Sequence, residues 1–129
     1  TPLRRRDEHG SAVVDFVLVA VVLLPMVIGI LQLALVLHVR NTLASAAAEG
    51  ARVAAVSGSS PAHGEQRARQ QITQALSADL ARNVRVRRDV VRGAPGYEAV
   101  IEAEVPVLGL GGPAMRVRVS GHAIAEVDP

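Results

Sequence analysis

Residues 16–37 read FVLVAVVLLPMVIGILQLALVL, 22 positions without a charge, with Gln32 the only polar side chain among them. The hydrocarbon core of a bilayer takes about 20 apolar residues in a helix. A backbone that crosses it must be helical, because only then are its own hydrogen bonds satisfied. The alternative for such a block is the buried core helix of a soluble protein, which needs apolar partners on every side. The rest of the chain does not supply them. Of its 129 residues half are apolar, but these are mostly Ala, Val and Leu, much of them in this one block, and the aromatics are Phe16 and Tyr97 alone. That composition argues against a compact soluble enzyme. With no cysteine, it excludes a disulfide scaffold and a Cys-ligated zinc or iron–sulfur site.

The flanks orient the block. Arg4, Arg5 and Arg6 precede it, and Arg40 is the one arginine close behind it. An arginine excess holds its own side in the cytoplasm, so the N-terminus is expected inside and everything from Arg40 onward outside. A cleavable secretory signal is the rival reading, with Ala44, Ala46 and Ala48 imitating its small-residue cleavage site. Against it, the apolar block exceeds the usual run of about 7–15 residues, and His38, Arg40 and Asn41 intervene.

Asp15 stands at the mouth of the block, directly before Phe16. An acid inside a membrane helix costs about 2.5–3.5 kcal/mol at the bilayer centre and less near its edge. One reading leaves Asp15 in the headgroup region as a helix N-terminal acid that complements the macrodipole. The other comes from what precedes it. A short basic stretch ends in Gly10, the fifth residue after that glycine is acidic, and the sixth opens the apolar run. This pattern resembles the leader of type IV pilins and pseudopilins, which prepilin peptidase cleaves after the glycine; that family usually has Glu where this chain has Asp15. The resemblance implies cleavage between Gly10 and Ser11 and an assembly role for Asp15 with Phe16. A lone charge in hydrocarbon seeks an opposite charge. In a bundle, Asp15 of one subunit can meet the new Ser11 amine of its neighbour, which favours one axial register and penalises others.

Helix formers continue past the block to about Val56, where Gly58-Ser-Ser-Pro61 interrupts them. From Ala12 that predicts a helix of about 45 residues, roughly 65–70 Å long. Pro25 frees the carbonyl of Val21 and Gly29 follows one turn later, so the pair marks either a joint or an ordinary tolerated proline. Beyond the membrane, small residues recur every fourth position, as Ala46, Gly50, Ala54 and as Ala47, Ala51, Ala55. Such ladders admit close approach of a second element, either a sheet of the same chain or the helix of a neighbouring subunit. Glu49 and Arg52 are spaced to pair on the helix surface.

Residues 41–55, NTLASAAAEGARVAA, narrow the resemblance. With the glycine–acid–Phe entry and the proline-containing apolar run, they are similar to TadE-like proteins, the pseudopilins of tight adherence pili. The likeness covers about residues 4–56. It implies a non-catalytic pilus component whose partners are prepilin peptidase, other pilin-like subunits, the assembly platform and the lipid bilayer. Its place is the bacterial cytoplasmic membrane, or a surface pilus after assembly. A single-pass anchor or scaffold that never enters a filament is the alternative.

The remainder predicts a small outer head. Residues 57–63 read as a loop. Residues 64–83 carry Ala68, Ile72, Ala75, Leu76 and Leu80 at spacings of three and four, an amphipathic helix. Its arginines have no aromatic platform beside them, so no nucleic-acid partner is expected. Three strand candidates follow: residues 84–91, the least regular; residues 97–107, whose apolar positions alternate with Glu98, Glu102 and Glu104; and residues 116–127. Residues 93–96, Gly-Ala-Pro-Gly, are expected to turn between the first two. Arg116 and Arg118 can face the middle strand's acids. The glycine-rich connection at 108–115 has no phosphate-binding spacing; its Leu108, Leu110 and Met115 either cover the sheet edge or meet a partner.

The expected architecture is therefore α+β and pilin-like: leader 1–10, transmembrane helix 11–38, helical stem 39–57 and head 58–129, the head a second helix on a three-stranded antiparallel meander. Ala47, Gly50, Ala51, Arg52 and Ala54 are the stem's expected packing positions. His9, His38, His63 and His122 show no metal-ligand spacing. Glu98, Glu102 and Glu104 alternate on an exposed face, as solvated charges rather than a hydrolytic dyad. Neither a catalytic residue nor a cofactor is expected.

Overall fold

The computed structural model describes the backbone of residues 2–106 and 114–126, and side chains from residue 8 onward within those ranges. The elements are helix α1 (Pro2–Ala55), helix α2 (Pro61–Ala75), a 3₁₀ turn (Ala78–Ala81), and strands β1 (Asn83–Val91), β2 (Ala94–Pro106) and β3 (Ala114–Ile124). The chain divides into two compact units, Thr1–Ala34 and Leu35–Pro129. The fold class is α+β with a pilin-like order of elements: a long apolar N-terminal helix, a second helix, and a three-stranded antiparallel sheet packed on helix.

Helix α1 is continuous through Pro25. It begins at Pro2, ten residues before the start expected from the apolar pattern, so the basic stretch is helical as well. Within residues 8–37 almost every side chain is exposed. From Val39 on, the same helix turns a small-residue face to the core.

In the second unit the sheet is the meander β1-β2-β3 with both pairings antiparallel. Its inner face brings Val84, Val86, Ala99, Ile101, Ala103, Val105, Val117 and Val119 together. They bury against Val39, Leu43, Ala46, Ala47, Ala51 and Ala54 of the stem and Ala68 and Ile72 of α2. Alternation along the strands is what makes this one-sided burial possible. Helix α2 runs antiparallel to the stem: Gly64 lies on Gly50, and about two turns later Gln71 Nε2 donates to Ser45 Oγ at 3.2 Å.

Several expected boundaries move. Helix α2 starts at Pro61, not Gly64: Ser60 is its N-cap, its hydroxyl accepting from the His63 N–H at 3.4 Å. Proline suits the first helical position because no donor is needed there. The helix ends at Ala75 instead of running to residue 83. Leu76 leaves helical geometry, Ser77 is extended, and the 3₁₀ turn redirects Leu80 and Ala81 toward the core, while Ala75 is left exposed. The β1–β2 connection is not Gly93–Gly96 but the two residues Arg92 and Gly93, at φ 51° and 80°. Val91 pairs with Ala94, so Pro95 and Gly96 already belong to β2. Positive φ at both central residues is the tight hairpin turn whose twist matches the strands. Strand β3 spans Ala114–Ile124 rather than residues 116–127. Beyond it the Ala125 N–H donates to the Pro95 carbonyl, in line with the β2–β3 register, and the Glu126 N–H donates to the Ala55 carbonyl at the end of α1. The expected roles of Leu108, Leu110 and Val127 lie outside the described residues; Met115 is exposed.

Candidate functional site

The segment expected to carry function is the first half of α1. Gly10, Ser11 and Asp15 are all on the helix and all exposed. A methyl added at Gly10 would meet nothing within 4 Å. Ser11 and Asp15 are four positions apart, so they lie one turn apart on the same helix face. Phe16 is 75% exposed, and Val13, Leu18, Val22, Leu24 and Leu31 are each more than half exposed. An apolar run presented this way is unstable in water and stable in hydrocarbon, where it satisfies its own backbone and needs no covering side chains. The helix Glu8–Ala55 contains an 18-residue stretch, none of it buried, apolar enough to cross a membrane. That is consistent with a single span. Pro25 removes one helical donor inside the exposed run, and Gly29 has open space around it.

The stem positions sit in a different environment. Ala47, Ala51 and Ala54 are buried inside the head, and Gly50 is buried where α2 crosses. A methyl on Gly50 would lie 2.9 Å from the Gly64 carbonyl oxygen and 3.1 Å from the Ala68 Cβ, while one on Gly64 would strike the Gly50 carbonyl oxygen. On the sheet side, a methyl on Gly121 would lie 2.5 Å from the Ala48 nitrogen and 2.6 Å from the Ala47 carbonyl carbon. The stem's small-residue ladders therefore face two glycines of the same chain, and backbone packs directly on backbone. Gly64 and Gly121 were not singled out from the sequence. Their signal was present: a glycine inside a helix or strand weakens it, which is tolerated where another backbone comes close. Arg52 is exposed and pairs with Glu49 at 3.6 Å; Glu49 also faces Arg67 at 3.9 Å.

The outer sheet face is a ladder of charge pairs. Glu102 faces Arg118 at 3.7 Å and Glu104 faces Arg116 at 3.9 Å. Glu98 accepts from Arg87 Nε at 3.1 Å and Nη2 at 2.9 Å, and its other oxygen lies 3.5 Å from His122 Nε2. Asp89, Glu98 and His122 come within 4.8 Å of one another, an association the sequence spacing does not show because each comes from a different strand. Register explains it: Arg87 is opposite Glu98, and Glu98 is opposite His122. Glu98 already has a guanidinium on one oxygen, so the cluster works as a cross-strand ion-pair network. Among the described residues no polar or charged side chain is buried. The acids are matched to cations across the strands, Glu104 well exposed and Glu98 largely covered by its partners, an arrangement that sets strand register.

Among protein families, residues 10–52 match the one described as TadE-like protein. No curated protein and no solved structure matches the chain. The matched segment begins at the Gly10 that closes the basic stretch, takes in the whole exposed apolar run and ends at Arg52 of the stem. That family is pilin-like and structural rather than catalytic. Over residues 10–52, a third of its length, this chain is therefore similar to TadE-like proteins, and the matched segment carries a hydrophobic helix consistent with a single membrane span.

Proposed function

We propose that this protein is a membrane-anchored pseudopilin, a minor pilin or assembly component of a tight adherence type IV pilus. The observation that carries the reading is the coincidence of the family match with the uncovered apolar helix. The protein sits in the bacterial cytoplasmic membrane with its basic end inside, as the arginine excess at residues 4–6 favours, and with the α+β head outside. Prepilin peptidase removes residues 1–10. The Gly10–Ser11 bond is on an exposed helix with open space around the glycine, so helical structure there must open locally for a protease to reach the bond.

After cleavage, Ser11 carries an α-amino group and Asp15 lies one turn along. Inside a bundle of such helices the Asp15 carboxylate pairs with a neighbour's amine, an attraction that low dielectric strengthens. Pro25 and Gly29 supply a compliant point within the span. The head's core uses up the stem's small residues, leaving the exposed half of α1 to meet lipid and other pilin-like helices.

The test is paired substitution in cells that express prepilin peptidase and the pilus machinery. Gly10→Ala is expected to keep its leader and stay in the membrane. Asp15→Ala is expected to lose its leader and yet fail to co-purify with pilus subunits. Normal processing of Gly10→Ala, or normal co-purification of Asp15→Ala, contradicts the proposal.

A further inference from the structure

The two edges of the sheet are treated differently. On β1 the Val84 carbonyl accepts from Arg69 Nη2 at 3.3 Å, and the Val86 N–H donates to Glu65 Oε1 at 3.0 Å. Both partners are side chains of α2, and they occupy backbone groups that would otherwise recruit another strand. On β3 no described residue does this. The Ala125 N–H to Pro95 carbonyl bond and the register place the odd residues of β3 in the ladder with β2. The N–H and C=O groups of Arg116, Arg118, Ser120 and His122 consequently point away from the sheet. All four residues are exposed, and among the described residues no hydrogen bond reaches these outward groups.

We propose that the free edge of β3 is a strand-addition site for an extended segment of a different protein carrying acids at alternate positions. Main-chain bonds to the four outward residues give the affinity, and the alternate side chains give the choice of partner. Charge selects the partner. Arg116 and Arg118 are 73% and 65% exposed, and their nearest carboxylates, at 3.9 and 3.7 Å, are too far for hydrogen bonds. Among the described residues their guanidinium N–H groups make these ion contacts but no hydrogen bond. An added strand with Glu or Asp beside them places each arginine between two acidic rows, while a basic strand sets like charges side by side.

A second copy of this chain does not fit. Strand β3 runs in the same direction as the stem, since Gly121 lies at Ala47 and Ala48 and Glu126 at Ala55. Antiparallel pairing of two β3 edges sets the stems of the two copies in opposite directions, against a shared membrane. Parallel pairing of β3 with another copy's β1 meets an edge whose Val84 carbonyl and Val86 N–H are already taken by Arg69 and Glu65. This inference does not depend on processing or filament assembly.

The test uses the full chain in detergent micelles with a synthetic peptide of alternating Glu and Thr, as long as β3, and an alternating Lys–Thr peptide as control. Amide NMR signals of Arg116, Arg118, Ser120 and His122 are expected to shift with the acidic peptide and their exchange to slow. The basic peptide is expected to bind at least tenfold more weakly. Ser120→Pro removes one outward N–H without costing a ladder bond, and Arg118→Glu reverses one charge without touching the backbone. Each is expected to raise the Kd at least tenfold. No binding, shifts mapped off β3, or wild-type binding by both variants overturns the proposal. Concentration-dependent self-association that Ser120→Pro abolishes also overturns it, assigning the edge to a second copy.

Discussion

Replacing Gly121 with alanine puts a methyl group 2.5 Å from the Ala48 nitrogen, 2.6 Å from the Ala47 carbonyl carbon and 2.7 Å from the Ala48 Cα. All three atoms are helix backbone, so no side chain can rotate away. Ordinary contact requires about 3.5 Å, which forces stem and sheet apart by roughly 1 Å; a gap of that size forfeits about a quarter to a half of each affected van der Waals contact. The stem's contacts there involve Leu43, Ala46, Ala47 and Ala51, facing Ala99 and Ile101, all buried. Overpacking costs about 1–3 kcal/mol, and a rigid backbone obstacle puts Gly121→Ala near about 3 kcal/mol. A head of this size has a total stability of roughly 5–14 kcal/mol, and that loss lowers its Tm by about 12–24 °C. The readout is convenient: the chain has one tyrosine and no tryptophan, so fluorescence in micelles reports Tyr97 in β2, and hence the head alone. Gly29→Ala is the control, because its methyl would meet nothing within 4 Å. A Gly121→Ala protein melting within about 2 °C of the parent refutes backbone-on-backbone packing of stem and sheet.

Two further substitutions test the head. Arg92 holds φ 51° in the β1–β2 turn, a conformation that costs an ordinary residue about 1–2 kcal/mol and asparagine less; Arg92→Asn is expected to stabilise the head by about 0.5–1 kcal/mol in urea unfolding, and a loss of stability would show that the arginine side chain matters more than the turn. Glu98→Ala removes the anion that Arg87 and His122 share, on a carboxylate side chain only 14% exposed. Because Arg87 is mostly solvated, the expected cost is about 1 kcal/mol at low salt, shrinking in about 1 M salt, and a salt-independent cost contradicts an ion-pair origin.

Where a single local pattern sets the structure, the chain's residues declared it in advance. The exposed run at 16–37 follows from composition, and β2 and β3 follow from alternation, because each has one wet face and one buried face. The Arg116–Glu104 and Arg118–Glu102 pairings follow from the same alternation. What escaped depends on competition between neighbouring signals or on distant residues. Pro61 looks like a loop residue until Ser60 is seen to cap the turn that it opens. Pro95 and Gly96 look like the turn, yet Gly93 and its neighbour are the positions that take positive φ. Leu76 and Leu80 continue the helical spacing, but the chain breaks helix between them to fill the core. The glycine contacts at 50–64 and 121–47 join residues far apart in sequence, and no window along one element contains both partners. The cluster of Asp89, Glu98 and His122 is hidden for the same reason: it exists only once the register of two strand pairs is fixed. The N-terminal pattern of glycine, acid and apolar run lies in the part of the chain that the family match covers.

The measurement closest to the central proposal is the N-terminal sequence and intact mass of the protein extracted from native membranes. A chain beginning at Ser11, head attached and apolar helix retained, is the predicted result. A membrane form that still begins ahead of Gly10 in cells with active prepilin peptidase, or a water-soluble form cut near residues 44–48, contradicts it.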